Sequence, residues 1–171
     1  MRVRALVLTG FGINCEEELA AGYRLAGAEP ETAHLNQVLS GAVPLDRFQV
    51  LNFPGGFSFG DDLGSGKVLA NRVRLRRLPS GQTFLEAIQA FVERGGFVLG
   101  ICNGFQALVK LGLLPATLGD GRQEVTLARN DSGLFEDRWV ECAVNPGSRT
   151  PFLRGIERMR LPVRHGEGKL V

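Results

Sequence analysis

Residues Gly95–Pro115, GGFVLGICNGFQALVKLGLLP, decide how the rest of the chain is read. Phe97 to Ile101 is a short apolar run bounded by glycines, the mark of a buried strand. Cys102-Asn103-Gly104 makes a tight turn, with Gly104 the residue best suited to positive φ. A helix follows from Phe105 to about Leu111. A side chain caught between strand and helix stands at the carboxyl edge of a sheet, where open α/β sheets bind ligands. Here that side chain is a cysteine. The local pattern leaves two readings open: a nucleophile facing the crevice beside a helix amino terminus, or a buried and inert thiol.

Toward the amino terminus, strands and helices alternate. Arg4 to Thr9 is a continuous apolar run, as expected of a strand buried on both faces. After the turn Gly10–Asn14, Asn14 is placed to cap a helix opening on Cys15-Glu16-Glu17-Glu18. Leu19, Ala20, Tyr23, Leu25 and Ala26 form its apolar side, and Gly27 ends it. Glu31 to Leu35 reads as a second strand carrying His34, and Phe48 to Phe53 as a third. The third strand enters Pro54-Gly55-Gly56-Phe57-Ser58-Phe59-Gly60-Asp61-Asp62, which lacks the lysine and spacing of a P-loop. Its successive glycines leave backbone amides bare enough to stabilise an oxyanion; the plainer reading is a tight strand-to-helix connection. Lys67 to Val73 is a further helix, and Leu75 to Gln82 a loop. Thr83 caps an amphipathic helix with Phe84, Leu85, Ile88, Phe91 and Val92 at helical spacing. This alternation indicates an α/β fold with a mostly parallel sheet flanked by helices.

Beyond Pro115 helical periodicity disappears. Glu124 to Ala128, Arg138 to Val144 and Met159 to Val163 read as strands, with a hairpin-like connection at Asn130-Asp131-Ser132-Gly133. An antiparallel carboxyl-terminal portion is expected. Without repeats or linkers, residues 1–171 read as one domain.

Composition narrows the classes. A net charge of +2 with 44% hydrophobic and 22% charged residues is that of an ordinary soluble protein, and no charge field argues for nucleic acid. The one dense basic run, Asn71 to Arg77, reads as a solvated face. Three cysteines (Cys15, Cys102, Cys142), without metal-ligand spacing, point to a reducing, cytoplasmic setting and to no metal. No apolar stretch reaches membrane-spanning length. Met1 stands directly before the first strand, which leans toward a separate subunit.

A cysteine nucleophile needs a base and the base an orienting acid. The histidines are His34 and His165, and His165-Gly166-Glu167 puts a histidine and a glutamate two apart. On one extended segment they share a face, so Cys102, His165 and Glu167 assemble as a triad on spacing alone. The plainer reading is a glycine-rich turn.

Five segments together resemble the class I glutamine amidotransferases, and among them the amidotransferase component of phosphoribosylformylglycinamidine synthase. They are Gly12-Ile13-Asn14-Cys15, Pro54–Asp61, Gly100–Gln106, Asn130–Glu136 and His165-Gly166-Glu167-Gly168. The resemblance implies a flavodoxin-like domain that hydrolyses glutamine through a thioester on Cys102. It further implies an oxyanion hole at the amides of Gly56 or its neighbour and of Asn103, and glutamine contacts from Gly55, Gln106, Asn130, Asp131 and Ser132. It implies no cofactor in this chain: glutamine is the substrate, and ammonia passes to a synthetase subunit or domain that uses ATP to amidate formylglycinamide ribonucleotide. One departure bears on activity. The family's catalytic histidine and glutamate lie in a Pro-His-Pro-Glu pattern that is absent here, so His165 and Glu167 do not inherit those roles. The expectation is a truncated chain with impaired glutaminase activity. The alternatives are a non-catalytic domain docking on the synthetase, or a cysteine hydrolase on a related scaffold.

Overall fold

Strands covered on both faces must be apolar throughout, and the central strands here are. In a computed structural model describing residues 2–119, 121–148 and 150–171, β1 (Arg4–Thr9) buries Ala5, Leu6, Val7 and Leu8 completely. β2 (Glu29–His34), β3 (Val50–Phe53) and β4 (Phe97–Gly100) complete a four-stranded sheet in the order β2-β1-β3-β4. Every pairing is parallel. The helices α1 (Glu16–Leu25), α2 (Leu35–Leu39), α3 (Lys67–Leu75), α4 (Phe84–Glu93) and α5 (Asn103–Lys110) lie in the connections. Leu51 and Phe53 of β3 pack with Leu69, Phe84, Ile88 and Leu108 in one core. All β1, β3 and β4 carboxyl ends therefore emerge on one edge, which gathers the loops after them.

The chain resolves into two compact units, 1–127 with 170–171, and 128–169. In the second, β6 (Glu136–Ala143) and β7 (Arg158–His165) form an antiparallel ribbon, registered from Glu136 opposite His165 to Ala143 opposite Arg158. The short strands β5 (Leu127–Arg129) and β8 (Glu167–Leu170) pair with each other. Among the described residues no helix is long and apolar enough to cross a membrane.

The parallel sheet, the helices and the antiparallel portion agree with the sequence expectation; several details differ. Asn14 does not cap α1: Cys15 occupies the cap position without a side-chain bond, and the Asn14 amide is drawn off to the Gly55 carbonyl at 3.2 Å. Leu25 is 90% exposed, so it is not on the packed side of α1. β2 begins at Glu29 and admits Pro30, because an edge strand tolerates a missing donor. It ends at His34, whose Nδ1 accepts the Asn36 amide at 3.1 Å and caps α2. Gly133 N–H closes a turn on Asn130 O at 2.9 Å, but the strands on either side belong to different sheets. That segment is a crossing, not a hairpin. α5 begins at Asn103, two residues before the sequence reading placed it.

Thr83 does cap α4 in a reciprocal box: its hydroxyl accepts the Glu86 amide at 3.2 Å, and Glu86 accepts the Thr83 amide at 2.5 Å. Thr83→Ala is expected to lower stability by about 1 kcal/mol, seen as a lower urea midpoint at unchanged slope. The Thr83 amide, then its hydroxyl, draw the Glu86 carboxyl below its ordinary range. A carboxyl lowered on folding stabilises fully above its unfolded value and stops doing so as pH falls through the folded one. The stability gap between wild type and Glu86→Gln therefore narrows as pH is taken from neutral to about 4.

Candidate active site

β4 stops at Gly100 and α5 starts at Asn103, so the chain must reverse within two residues. Cys102 takes up the reversal at φ 53°, ψ −113°, a backbone conformation that costs a side-chain-bearing residue on the order of 1–3 kcal/mol. The neighbouring β3 explains how it is held. The Phe53 carbonyl accepts the Ile101 amide at 3.1 Å, and the Gly104 amide donates to Ile101 O at 2.9 Å. A Cβ on Gly104 would overlap the Phe53 carbonyl oxygen. A Cβ on Gly100 would stand 2.6 Å from Leu108 Cδ1 and 2.9 Å from the Gly104 carbonyl. Bare glycine on both sides lets α5 fold back onto the strand ends and leaves the Cys102 side chain exposed.

The Asn103 side chain, 1% exposed, fastens this turn to the glycine–aromatic loop. Its Oδ1 accepts the Ser58 amide at 3.0 Å, and its Nδ2 donates to Asp61 at 2.8 Å and to Gln106 Oε1 at 3.1 Å. Asp61 in turn accepts the Gly66 amide at 2.9 Å, at the start of α3. Ser58 is buried as well, and its Oγ has no hydrogen-bond partner among the described residues.

The loop after β1 secures the other side. Asn14 N–H donates to Gly55 O, Phe57 N–H to Gly12 O at 2.9 Å, and Phe59 N–H to Phe11 O at 2.5 Å. Gly56 passes at φ 134°, where a Cβ would come 2.5 Å from Gly12 O. Phe11 stacks on Phe59 at 4.6 Å, with the Arg72 guanidinium 4.9 Å from the Phe11 ring. This ladder engages the Gly55 carbonyl and the Phe57 amide on either side of Gly56, and among the described residues it makes no backbone bond from the Gly56 amide. The Asn103 amide opens α5, where the helix has no acceptor for it. Gly55 lies against the elbow: a Cβ there would be 3.3 Å from Cys102 Cβ. An exposed thiol can bond covalently to a carbonyl carbon where backbone amides are placed to receive the oxygen.

Cys102, Gly55, Gly56 and Asn103 thus come together, and Gln106 stands behind them, 6% exposed and bonded to Asn103. Sequence reasoning overlooked Cys15, whose sulfur meets the same glycine. The signal was available: it follows β1 as Cys102 follows β4. Partial burial, then the charges of Glu18, Cys102 and Glu16, raise the Cys15 thiol pKa.

The remaining residues lie in the second unit and serve its own turns. Asn130 donates from Nδ2 to the carbonyls of Leu134 at 2.9 Å and His165 at 2.8 Å, which fixes the amide's orientation. Its Oδ1 then accepts the Gly168 amide at 3.1 Å and faces His165 Nδ1 at 3.0 Å. His165 Nδ1 must therefore carry the proton. β7 ends on His165 and β8 begins on Glu167, with a bend at Gly166, so the one extended segment that would have carried both residues is interrupted. Ser132 donates to Glu136 at 2.6 Å, and Asp131 pairs with Lys169 at 2.5 Å.

Comparison with known proteins shows the family. The profile of the CobB/CobQ-like glutamine amidotransferase domain matches residues 2–171. The chain belongs to this family. It is 51% identical over 170 residues to the phosphoribosylformylglycinamidine synthase subunit PurQ of Dehalococcoides mccartyi, covering 99% of the chain and 64% of that protein. To the subunit of the same name from Methanococcus maripaludis it is 38% identical over 168 residues, covering 97% and 59%. The amidotransferase chain therefore spans about three fifths of the length of these curated relatives. Among solved structures, PurLQS from Thermotoga maritima superposes with a TM-score of 0.77 at 32% identity, over 100% of this amidotransferase chain and 70% of that one.

Gly104→Ala is expected to cost about 1–3 kcal/mol through forced overlap with β3 and to slow iodoacetamide alkylation of Cys102. Gly22→Ala is the control. Gly22 lies within α1 with nothing near its Cβ position, so that substitution should raise stability by about 0.5–1 kcal/mol. Urea unfolding and peptide-resolved alkylation rates check both.

Proposed function

We propose that the chain is the glutamine-hydrolysing part of a phosphoribosylformylglycinamidine synthase, acting in the cytoplasm. What carries the reading is Cys102, exposed on a strained elbow that lies against Gly55. The sulfur attacks the glutamine carboxamide carbon, and the C–S bond forms as the carbonyl electrons move to oxygen. The Gly56 and Asn103 amides hold that oxyanion, each such donor being worth about 10²–10³ in rate. Protonation of the nitrogen and cleavage of the C–N bond release ammonia and leave a glutamyl thioester. Water then cleaves the thioester to glutamate and the free thiol. The ammonia serves an ATP-dependent synthetase that amidates formylglycinamide ribonucleotide. Support for that partner comes from the PurQ relatives and from the PurLQS structure. Gly55 forms the floor of the glutamine site, and Gln106 acts from behind it through Asn103. Asn130, Asp131 and Ser132 are assigned to the glutamine site by the resemblance alone; the bonds they make lie within the second unit, where Asn130 also binds His165.

Neither histidine is arranged as the base by the bonds it makes. His34 Nδ1 caps α2, and the Nδ1–H of His165 points to an amide rather than to Glu167. The 171-residue chain is therefore expected to capture a glutamine-like electrophile at Cys102 while turning over glutamine orders of magnitude below a complete triad. A diazoketone analogue of glutamine tests this. Peptide mapping should find it on Cys102 alone, with glutamine protecting and Cys102→Ser unlabelled. Equal labelling of Cys15 and Cys142, or no protection by glutamine, would refute the assignment.

A further inference from the structure

Cys15 and Cys102 belong to loops that leave different strands, yet both lean over the α-carbon of Gly55. A Cβ at Gly55 would lie 3.3 Å from Cys102 Cβ and 3.4 Å from Cys15 Sγ. Glycine at this position leaves the space that both residues border empty. Neither cysteine is in a disulfide, and both are exposed. The Cys15 sulfur is held by the Asn14 side-chain oxygen at 3.2 Å, a weak bond that a χ1 rotation would break. Cys142, the third thiol, belongs to the other compact unit.

We propose that Cys15 is the resolving thiol for Cys102, making the pair a reversible oxidation site. A hydroperoxide transfers oxygen to the Cys102 sulfur, giving a sulfenic acid and the corresponding alcohol, or water from hydrogen peroxide. The Cys15 sulfur then attacks the Cys102 sulfur. The S–S bond forms, the S–O bond breaks, and water leaves with the Cys15 proton. Two thiols lose two electrons in all, and the hydroperoxide gains them. The disulfide caps the attacking sulfur and stops it short of the irreversible sulfinic acid; a dithiol restores both by exchange. Geometry favours this partner because the Cys15 sulfur and the Cys102 Cβ border the same open side-chain position at Gly55. The inference rests on the reading of Cys102 as a reactive thiol.

The full chain treated with hydrogen peroxide, alkylated and digested without reductant, tests it by mass. A linked Cys15–Cys102 peptide should dominate, persist in Cys142→Ser, and disappear with dithiothreitol. In Cys15→Ser the link is lost and Cys102 proceeds to the sulfinic acid. Gly55→Ala, which fills the space, should lose the link while both thiols still alkylate. Sulfinic acid forming at Cys102 as fast with Cys15 present as without it overturns the proposal. So does linkage of Cys102 to Cys142 or to a second copy. Because the link is read without glutamine, it separates the two ideas. Linkage without diazoketone labelling would leave this inference standing and remove the amidotransferase mechanism; the reverse pattern would do the opposite.

Discussion

The carbonyl oxygen of Phe53 is the point on which the site is built. It ends β3, accepts the Ile101 amide from the adjoining strand, and has Gly104 pressed so close that no side chain fits between them. With that approach fixed, the chain between Ile101 and Gly104 has little freedom, and Cys102 is left in a conformation it would not choose. Strain of this kind persists only where the surroundings over-determine it. Here they do, through backbone bonds and steric contact at the end of a buried strand.

Asn103 extends the constraint sideways. Its buried amide binds the Ser58 amide, Asp61 and Gln106 at once, tying the elbow to a loop more than forty residues earlier in the chain. Removing it would leave the Ser58 amide unpaired in the interior, a penalty of about 1–3 kcal/mol. The β1 loop closes the frame through its ladder onto Gly55, Phe57 and Phe59. Three loops from three parallel strands thus fix one another at a single sheet edge. On the proposed mechanism the amide donors are positioned before any ligand arrives, so little reorganisation would remain for the reaction itself.

Much of this was legible in the residues. Glycines bracketing Cys102 announce a strand-turn-helix, and Thr83 three residues before Glu86 announces a cap; both are local signals, and both hold in the structure. Non-local pairings were not legible. Asn14 looks like a cap until the Gly55 carbonyl, across the sheet edge, takes its amide. Asn130 to Gly133 has hairpin chemistry, yet β5 and β6 find different partners. Glu167 to Leu170 lacks any alternation that would mark a strand, and forms one through pairing with β5. His165 and Glu167 share a spacing, but the bend between them and the demand of Asn130 for a donor override it. The proximity of Cys15 to Cys102 follows only from strand order, which places β3 between β1 and β4.

The central claim is that this frame presents Cys102 to a glutamine carboxamide. Its most direct test is the acyl group itself. The full chain is incubated with isotopically labelled glutamine, quenched in acid and digested at low pH, and the Cys102 peptide is weighed. The account predicts a labelled glutamyl group on that peptide, released by hydroxylamine and absent from Cys102→Ser. A labelled group on Cys15 or Cys142, or none on Cys102 after prolonged incubation with saturating glutamine, would contradict it.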